Sequence, residues 1–232
     1  MYKSLNLLNI NISKEQEEIL NRYQKLFLEY NKNVNLISKN DESCLFQKHI
    51  FDSLAFNLFY QKYIKQNNIN LLDIGTGGGF PSVPISLLYK NIDVTAIDSI
   101  NKKIKFIENL KAILNINNIT PICSRIEAID KNNKYNVVVS RAMAELRVIL
   151  EYAIPYIKTG GYFIAYKSIK ADEEIKNAQK ALEILNAKII DKIEYSLPLR
   201  EETKRTLIVI KKLKNTPNIY PRQNNIIKNK PL

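Results

Sequence analysis

An α/β fold, with a seven-stranded, mostly parallel sheet and a helical extension at its N-terminus, is predicted for this 232-residue chain by three observations. Short apolar segments alternate with longer amphipathic ones from about residue 66 onward, as parallel strands joined by crossover helices require. Four of the six glycines, Gly75, Gly77, Gly78 and Gly79, fall within five consecutive positions directly after one of those segments. The last two strand patterns have no helix between them, which predicts an antiparallel hairpin.

The elements follow in order. Ser13 with Gln16 reads as a capping box, and Ile19, Tyr23, Leu26 and Tyr30 recur at helical spacing through about Tyr30. A second helical stretch runs from Leu45 to Tyr63, and the polar Lys65–Asn70 reads as a connector. The strand segments are Leu71–Ile74, Val94–Ile97, Ile119–Cys123, Val137–Val139, Tyr162–Tyr166, Lys188–Tyr195 and Thr206–Ile210. Helices are expected from about Pro81, along the face made by Ile104, Ile107 and Leu114, briefly after Arg125, from Ala144, and over Asp172–Leu185. This divides the chain into a helical extension (1–65), a main α/β domain (66–213) and a basic arm (214–232). The arm holds Pro217, Pro221 and Pro231 among Asn and Lys, a composition that suits extended chain better than a packed element.

Composition narrows the function. Hydrophobic residues at 45% and charged residues at 25% are ordinary for a globular chain. The formal charge of +12 favours polyanionic partners. After Glu202 there is no acid, and Lys204, Arg205, Lys211, Lys212, Lys214, Arg222, Lys228 and Lys230 concentrate the basic field there. One histidine, His49, and the separated Cys44 and Cys123 do not make a zinc site, so no metal is expected. Both cysteines read as small packing residues in a reducing, cytoplasmic setting. No apolar run approaches the ~18 residues of a membrane span and no secretory pattern is seen, so no membrane partner is expected.

The chemistry centres on Leu71-Leu72-Asp73-Ile74-Gly75-Thr76-Gly77-Gly78-Gly79, a buried strand ending in an acid and followed by a glycine turn. A dinucleotide fingerprint would place its third glycine at position 80, which is Phe80, and has no use for Asp73. An acid before the glycine run instead resembles the first motif of class I S-adenosylmethionine-dependent methyltransferases, where the carboxylate serves the methionyl ammonium. Asp98 closes the second strand 23 residues after Gly75, where a carboxylate can accept ribose hydroxyls. After the third strand, Glu127 can bond an adenine edge and Ile126 can cover the ring. A lone acid at a strand end is usually just solvated; three at successive strand ends behind a glycine cluster point to a nucleoside.

The fourth strand ends Val139-Ser140-Arg141-Ala142. Neither the Asn/Asp-Pro-Pro-aromatic turn of exocyclic-amine methyltransferases nor the Pro-Cys of cytosine-C5 enzymes is present. Guanine N7 already offers a lone pair, so its alkylation needs alignment rather than a general base, and no catalytic residue is assigned.

Gly75-Thr76-Gly77-Gly78-Gly79-Phe80-Pro81 with Pro84, Ser140-Arg141-Ala142, Tyr220-Pro221-Arg222 and the terminal Lys230-Pro231-Leu232 together resemble the bacterial small-subunit rRNA guanine-N7 methyltransferase family, also called the glucose-inhibited division protein B family. Asn35-Leu36, and His49 with Asp52-Ser53-Leu54, resemble its N-terminal segment, and Arg205 before Leu207–Ile210 its last strand. The resemblance covers nearly the whole chain and implies S-adenosylmethionine as cofactor and one guanine of 16S rRNA, free or in the small ribosomal subunit, as acceptor. It implies cofactor contacts at Gly75, Phe80, Ile126, Glu127 and Arg141, with Asp73, Gly77 and Asp98 from the general class I pattern. Ser82, Ser168 and Asn225 stand where the family often has glycine.

Lys167, Arg205, Arg222, Lys228 and Lys230 are the candidate RNA contacts. Several alternatives stay open. His49 can be a structural hydrogen-bonding residue or a substrate contact, Arg141 can pair with a carboxylate purely structurally, and the basic arm can be a solvated tail. For the whole chain the alternatives are a nicotinamide-dependent oxidoreductase and a non-catalytic RNA-binding protein with a vestigial nucleoside pocket.

Overall fold

A computed structural model describes residues 2–232. Seven strands form one sheet in the order β3-β2-β1-β4-β5-β7-β6: β1 (Ile69–Ile74), β2 (Ile92–Asp98), β3 (Ile119–Cys123), β4 (Tyr135–Arg141), β5 (Ile157–Lys167), β6 (Ala187–Leu197) and β7 (Thr203–Lys212). The first five are parallel to one another, and β7 runs antiparallel between β5 and β6, as the missing crossover helix requires. The chain winds outward through β1, β2 and β3, then returns to place β4 on the other side of β1. That reversal opens a crevice at the carboxyl ends of β1 and β4, where open α/β sheets hold ligands.

Both faces of the sheet are covered, and the side-chain alternation along each strand sorts residues between them. Leu71, Val137, Val139, Leu207 and Val209 point into one core; Leu72, Val138, Ile208 and Ile210 point into the other. The first core receives the helix Lys14–Val34, whose Ser13–Gln16 capping box is present, and the helices Phe56–Tyr63, Ser82–Leu88 and Asn101–Leu114. Phe27 packs on Phe80 and Phe106 with ring centroids 5.2 and 5.3 Å apart, so the helical extension from residue 2 shares a core with the sheet. The second core receives the helices Leu146–Ala153, Ala171–Asn177 and Gln179–Ile184.

The tail departs from the extended form expected of it. Residues Asn224–Asn229 form a helix, Ile227 is fully buried, and Tyr220 is buried beside it in the second core. The physical reason lies in helix Leu146–Ala153. Its Glu151 is fully buried and takes Arg222 Nε at 2.7 Å, Nη2 at 2.6 Å and the Arg222 backbone N–H at 2.9 Å. A carboxylate inside an apolar face demands a cation, and the tail supplies it. The stretch Leu45–Tyr63 is helical but irregular, with Phe46–Phe51 wound as a π-helix before Asp52–Leu54 and Phe56–Tyr63. No helix among the described residues is long and apolar enough to cross a membrane.

Candidate functional site

Two cavities open side by side at the carboxyl end of the sheet, and the turn Ala142-Met143-Ala144 lines both. The glycine-side cavity, about 350 Å³, lies over the ends of β1, β2 and β3. Gly75 turns the chain out of β1 at φ +73°, a left-handed conformation that glycine adopts without strain. A Cβ there would stand 3.2 Å from Met143 Sδ, so the missing side chain also makes room for the turn. The Gly75 and Thr76 N–H groups donate to the Ile97 carbonyl, fixing the β1 turn to β2.

Asp98 is buried at the end of β2 and shapes the floor. Its Oδ2 accepts the Gly77 N–H at 3.0 Å, its Oδ1 accepts the Ile100 N–H at 2.9 Å, and Lys103 Nζ stands 3.6 Å away. The carboxylate is thus held in one orientation with lone pairs left over. Ile97 and Ile126 supply apolar surface, Glu127 an acid, and Tyr152 donates to Asn224 Oδ1 at 2.5 Å on the far wall. Lys228 also lines this cavity, so the tail helix closes it from one side.

Of the predicted contacts, Gly75, Asp98, Ile126 and Glu127 meet in this cavity, and the others do not. Asp73 is fully buried beneath the turn, where its Oδ2 accepts the Ser82 N–H at 3.2 Å and its Oδ1 has no partner. Burial, partly offset by the neighbouring Thr76 and Ser82 groups, pushes Asp73 up to about 6. Its visible work is to hold the glycine turn, along with the Gly77 bond to Asp98. Phe80 is core, packed between Phe27, Tyr23 and His49, because the helix that follows turns its ring inward.

Arg141 faces the second, arginine-side cavity of about 590 Å³. It is drawn there by fixed partners. Nη1 bonds Asp52 Oδ2 at 2.9 Å and the Lys48 carbonyl at 3.2 Å, Nη2 donates to His49 Nδ1 at 2.9 Å, and the guanidinium lies 5.1 Å from the Phe80 ring centroid. Asp52 Oδ1 in turn accepts the Tyr195 hydroxyl at 2.6 Å. The carboxylate pairing weighed for Arg141 is therefore present, and its partner belongs to the helical extension. A guanidinium can only donate, so His49 accepts at Nδ1 and carries its proton on Nε2, which is buried without a partner. Burial first, and Arg141 second, push His49 down to about 4, leaving it neutral at pH 7.

Lys167 and Arg205 also line this cavity. Lys167 is pinned by Glu174 Oε2 at 2.5 Å and the Ala144 carbonyl at 2.6 Å, which ties β5 to the shared turn. Arg205 Nε stands 3.8 Å from Asp52 Oδ1 and keeps more of its side chain exposed. Arg222 is in neither cavity, being consumed by Glu151, and its Nη2 also bonds the Lys230 carbonyl at 3.0 Å. Arg222 is thus not the free RNA contact expected of it: it clamps the tail. The Lys230 side chain stays exposed beside that clamp and lines neither cavity.

Sequence reasoning missed Met143, Tyr152, Lys103 and Glu151. Glu151 carried a signal, being an acid on the buried face of an apolar helix. Met143 carried none, since its role comes from the shape of a turn in which Ala142 has φ +53°.

Comparison with known proteins decides what this pair of cavities belongs to. The sequence model of the family described as rRNA small subunit methyltransferase G matches residues 16–205. The chain belongs to that family. It is 41% identical over 228 residues to "Ribosomal RNA small subunit methyltransferase G" of Streptococcus pneumoniae strain R6, covering 97% of this chain and 94% of that one. The protein of the same name from Lactobacillus acidophilus is 38% identical over 228 residues, with the same coverage of both chains. Among solved structures, TYW2 of M. jannaschii in complex with AdoMet superposes with a TM-score of 0.53 at 15% identity, over 65% of this chain and 72% of that one. A ribosomal protein L11 methylase from Lactobacillus delbrueckii subsp. bulgaricus gives 0.54 at 16% identity, over 72% and 79%. These likenesses establish a class I methyltransferase fold.

Proposed function

We propose that this member of the rRNA small subunit methyltransferase G family moves a methyl group from S-adenosylmethionine to N7 of one guanine in 16S rRNA. The observation that carries the reading is the pair of cavities that meet at Met143, one suited to an adenosyl group and one open beside it, lined by Lys48, Arg141, Lys167 and Arg205 with their carboxylate partners. The glycine-side cavity fits the cofactor on its own chemistry. A buried, fixed carboxylate at Asp98 suits two ribose hydroxyls, Ile97 and Ile126 suit an aromatic base, and Glu127 suits its exocyclic amine. When bound, the cofactor supplies an electrophilic methyl group on a sulfonium.

The residues of the chain bind and orient. Gly75 lets a ligand approach the backbone, and the Gly77–Asp98 bond holds turn and floor together. Guanine N7 loses no proton on methylation, so neither cavity needs a base, and neutral His49 and the paired Asp52 are consistent with that. Lys48, Arg141 and Lys167 in the arginine-side cavity are paired with Asp41, Asp52 and Glu174, so Arg205, 3.8 Å from Asp52, is the cation there with most freedom to meet a phosphate flanking the target. The family match favours this reading over a nicotinamide enzyme, and the fixed Asp98 carboxylate favours it over a vestigial pocket.

Incubating the protein with labelled S-adenosylmethionine and 16S rRNA from cells lacking it, followed by nucleoside analysis, tests cofactor, acceptor and atom together. We expect label in 7-methylguanosine and borohydride- and aniline-dependent scission at one guanine. Label in adenosine, cytidine or an N2-methylguanosine would overturn the proposal.

A further inference from the structure

At the opposite end of the sheet, a third concavity of about 320 Å³ opens between the start of β4, the start of β5 and the end of β7. Lys131, Lys134, Lys158 and Lys212 line it, and no aspartate or glutamate does. Its remaining polar lining is made of asparagine and threonine side chains and Tyr220, whose amide and hydroxyl groups suit an oxyanion as donors.

Lys212 is the informative member. It is only 2% exposed, and its Nζ donates to the carbonyls of Ile154 and Ile157 at 3.0 and 2.8 Å. An ammonium has three protons, so one donor remains. Lys134 Nζ bonds the Pro155 carbonyl at 2.6 Å, Lys131 the Asn218 carbonyl at 3.4 Å and Lys158 the Asn136 side-chain oxygen at 3.2 Å. Every partner is a neutral oxygen, and no ion pair joins any of the four to a carboxylate among the described residues.

Capping the carbonyls at the end of the turn Ile154–Tyr156 explains part of this arrangement, because such carbonyls carry partial negative charge. It does not explain four cations. Partial charges on carbonyls are no counter-ion for the buried Lys212, and the exposed Lys131, Lys134 and Lys158 add to the positive field around it, whereas a buried cation is ordinarily paired with an anion. Burial, reinforced by the charge of Lys134, pushes Lys212 down to about 8, and Asp130, outside the lining, draws Lys134 the other way. No side chain lining the concavity supplies a counter-charge to Lys212.

We propose that this concavity binds backbone phosphate of the substrate RNA, at a second contact remote from the methyl-transfer end; the choice of RNA rests on the function proposed above. From Tyr135 to Arg141 β4 rises roughly 20 Å at about 3.3 Å per residue, so the RNA would be gripped at both ends of the sheet. Three exposed lysines around one buried lysine suit successive phosphates of a chain better than one compact anion.

The test replaces two rim residues, Lys131→Gln with Lys158→Gln, both exposed and outside the core. Binding of a 16S rRNA fragment is measured across a salt series for wild type and variant, beside titration with inorganic phosphate followed by thermal unfolding. Cofactor titration checks that the variant is folded. Each phosphate neutralised on single-stranded RNA contributes about 0.7 to the slope of log affinity against log salt, so the slope should flatten by about 1.4. If the slope stays put while phosphate stabilises only the wild type, the site takes free phosphate and the RNA assignment is overturned. If neither measurement moves, there is no anion site. The methylation assay of the wild type judges the function separately, since salt slopes do not depend on turnover.

Discussion

The glycine-side and arginine-side cavities share Met143 but are held by different forces. The first is a product of backbone. Its floor comes from a turn at Gly75, from N–H groups bonded to Ile97 and Asp98, and from residues within a few positions of three strand ends. The second is a product of side-chain charge. Arg141, Asp52, Tyr195 and Lys167 with Glu174 join the helical extension, β4, β5, β6 and the helix after β5, across up to 143 positions of sequence. Backbone geometry tolerates side-chain change nearby, whereas a buried charge network fails as a unit. Substitutions in the two cavities should therefore damage different properties: ligand affinity in the first, stability in the second.

The tail extends the charge-held half and gives the largest expected effect. Truncation after Asn215 strips Glu151 of all three Arg222 bonds and exposes the surface covered by Tyr220 and Ile227. Breaking a buried pair costs about 3–5 kcal/mol and uncovering two large apolar side chains several more, comparable to the whole stability of a domain. The truncated chain should be unfolded or nearly so. Because aggregation could mask this, Arg222→Met provides a milder version with a loss of about 3 kcal/mol in urea unfolding. A truncated protein as stable as the full chain would return the tail to the status of a solvated arm.

Next in size is Arg141→Met. It leaves Asp52, whose side chain is 6% exposed, facing Tyr195 and a distant Arg205. Loss of about 3 kcal/mol of unfolding free energy is expected, with cofactor affinity of the folded fraction little changed. The reverse result, unchanged stability with lost cofactor binding, would make Arg141 the direct cofactor contact that the family resemblance implies.

This division also explains what could be read from the sequence. The seven strands, the Ser13 capping box and the terminal hairpin were legible because each depends on neighbours in sequence. The same holds for Asp98, Ile126 and Glu127 at their strand ends. Strand β5 begins at Ile157 rather than Tyr162 because Gly160 and Gly161, which look like a break, are accommodated within the strand. The tail helix and the destination of Arg141 were not legible. Their determinants, Glu151 and Asp52, lie 71 and 89 positions away, and a charge pair leaves no periodic trace.

Asp73 tests the backbone-held half from beneath. Its ordinary unfolded value is near 3.8 and burial raises it to about 6 in the folded protein. Well below pH 4 both states are protonated, and the group costs nothing. As pH rises through 6 the unfolded chain gains more from ionisation, so this contribution to stability is lost, by on the order of 2–3 kcal/mol. The stability of wild type relative to Asp73→Asn should fall between pH 4 and 6 and level off above. Parallel curves from urea unfolding at several pH values would mean that the carboxylate finds a charged or hydrogen-bonding partner for Oδ1.

The smallest effect sharpens the comparison most, because it should move one cavity alone. Asp98→Asn keeps one acceptor for the Gly77 or Ile100 N–H but replaces the other oxygen with a donor and removes the charge. A ribose hydroxyl bonded to a carboxylate contributes more than one bonded to an amide, by roughly 1.5–2 kcal/mol, or about 10- to 30-fold in affinity. Calorimetric titration should show S-adenosylmethionine binding weakened by that factor. RNA affinity, which the proposal assigns to surfaces outside this cavity, should stay within twofold. Should RNA binding fall in step with the cofactor, the shared wall at Met143 couples the two cavities, and the turn Ala142-Met143-Ala144 would be the element through which one site senses the other.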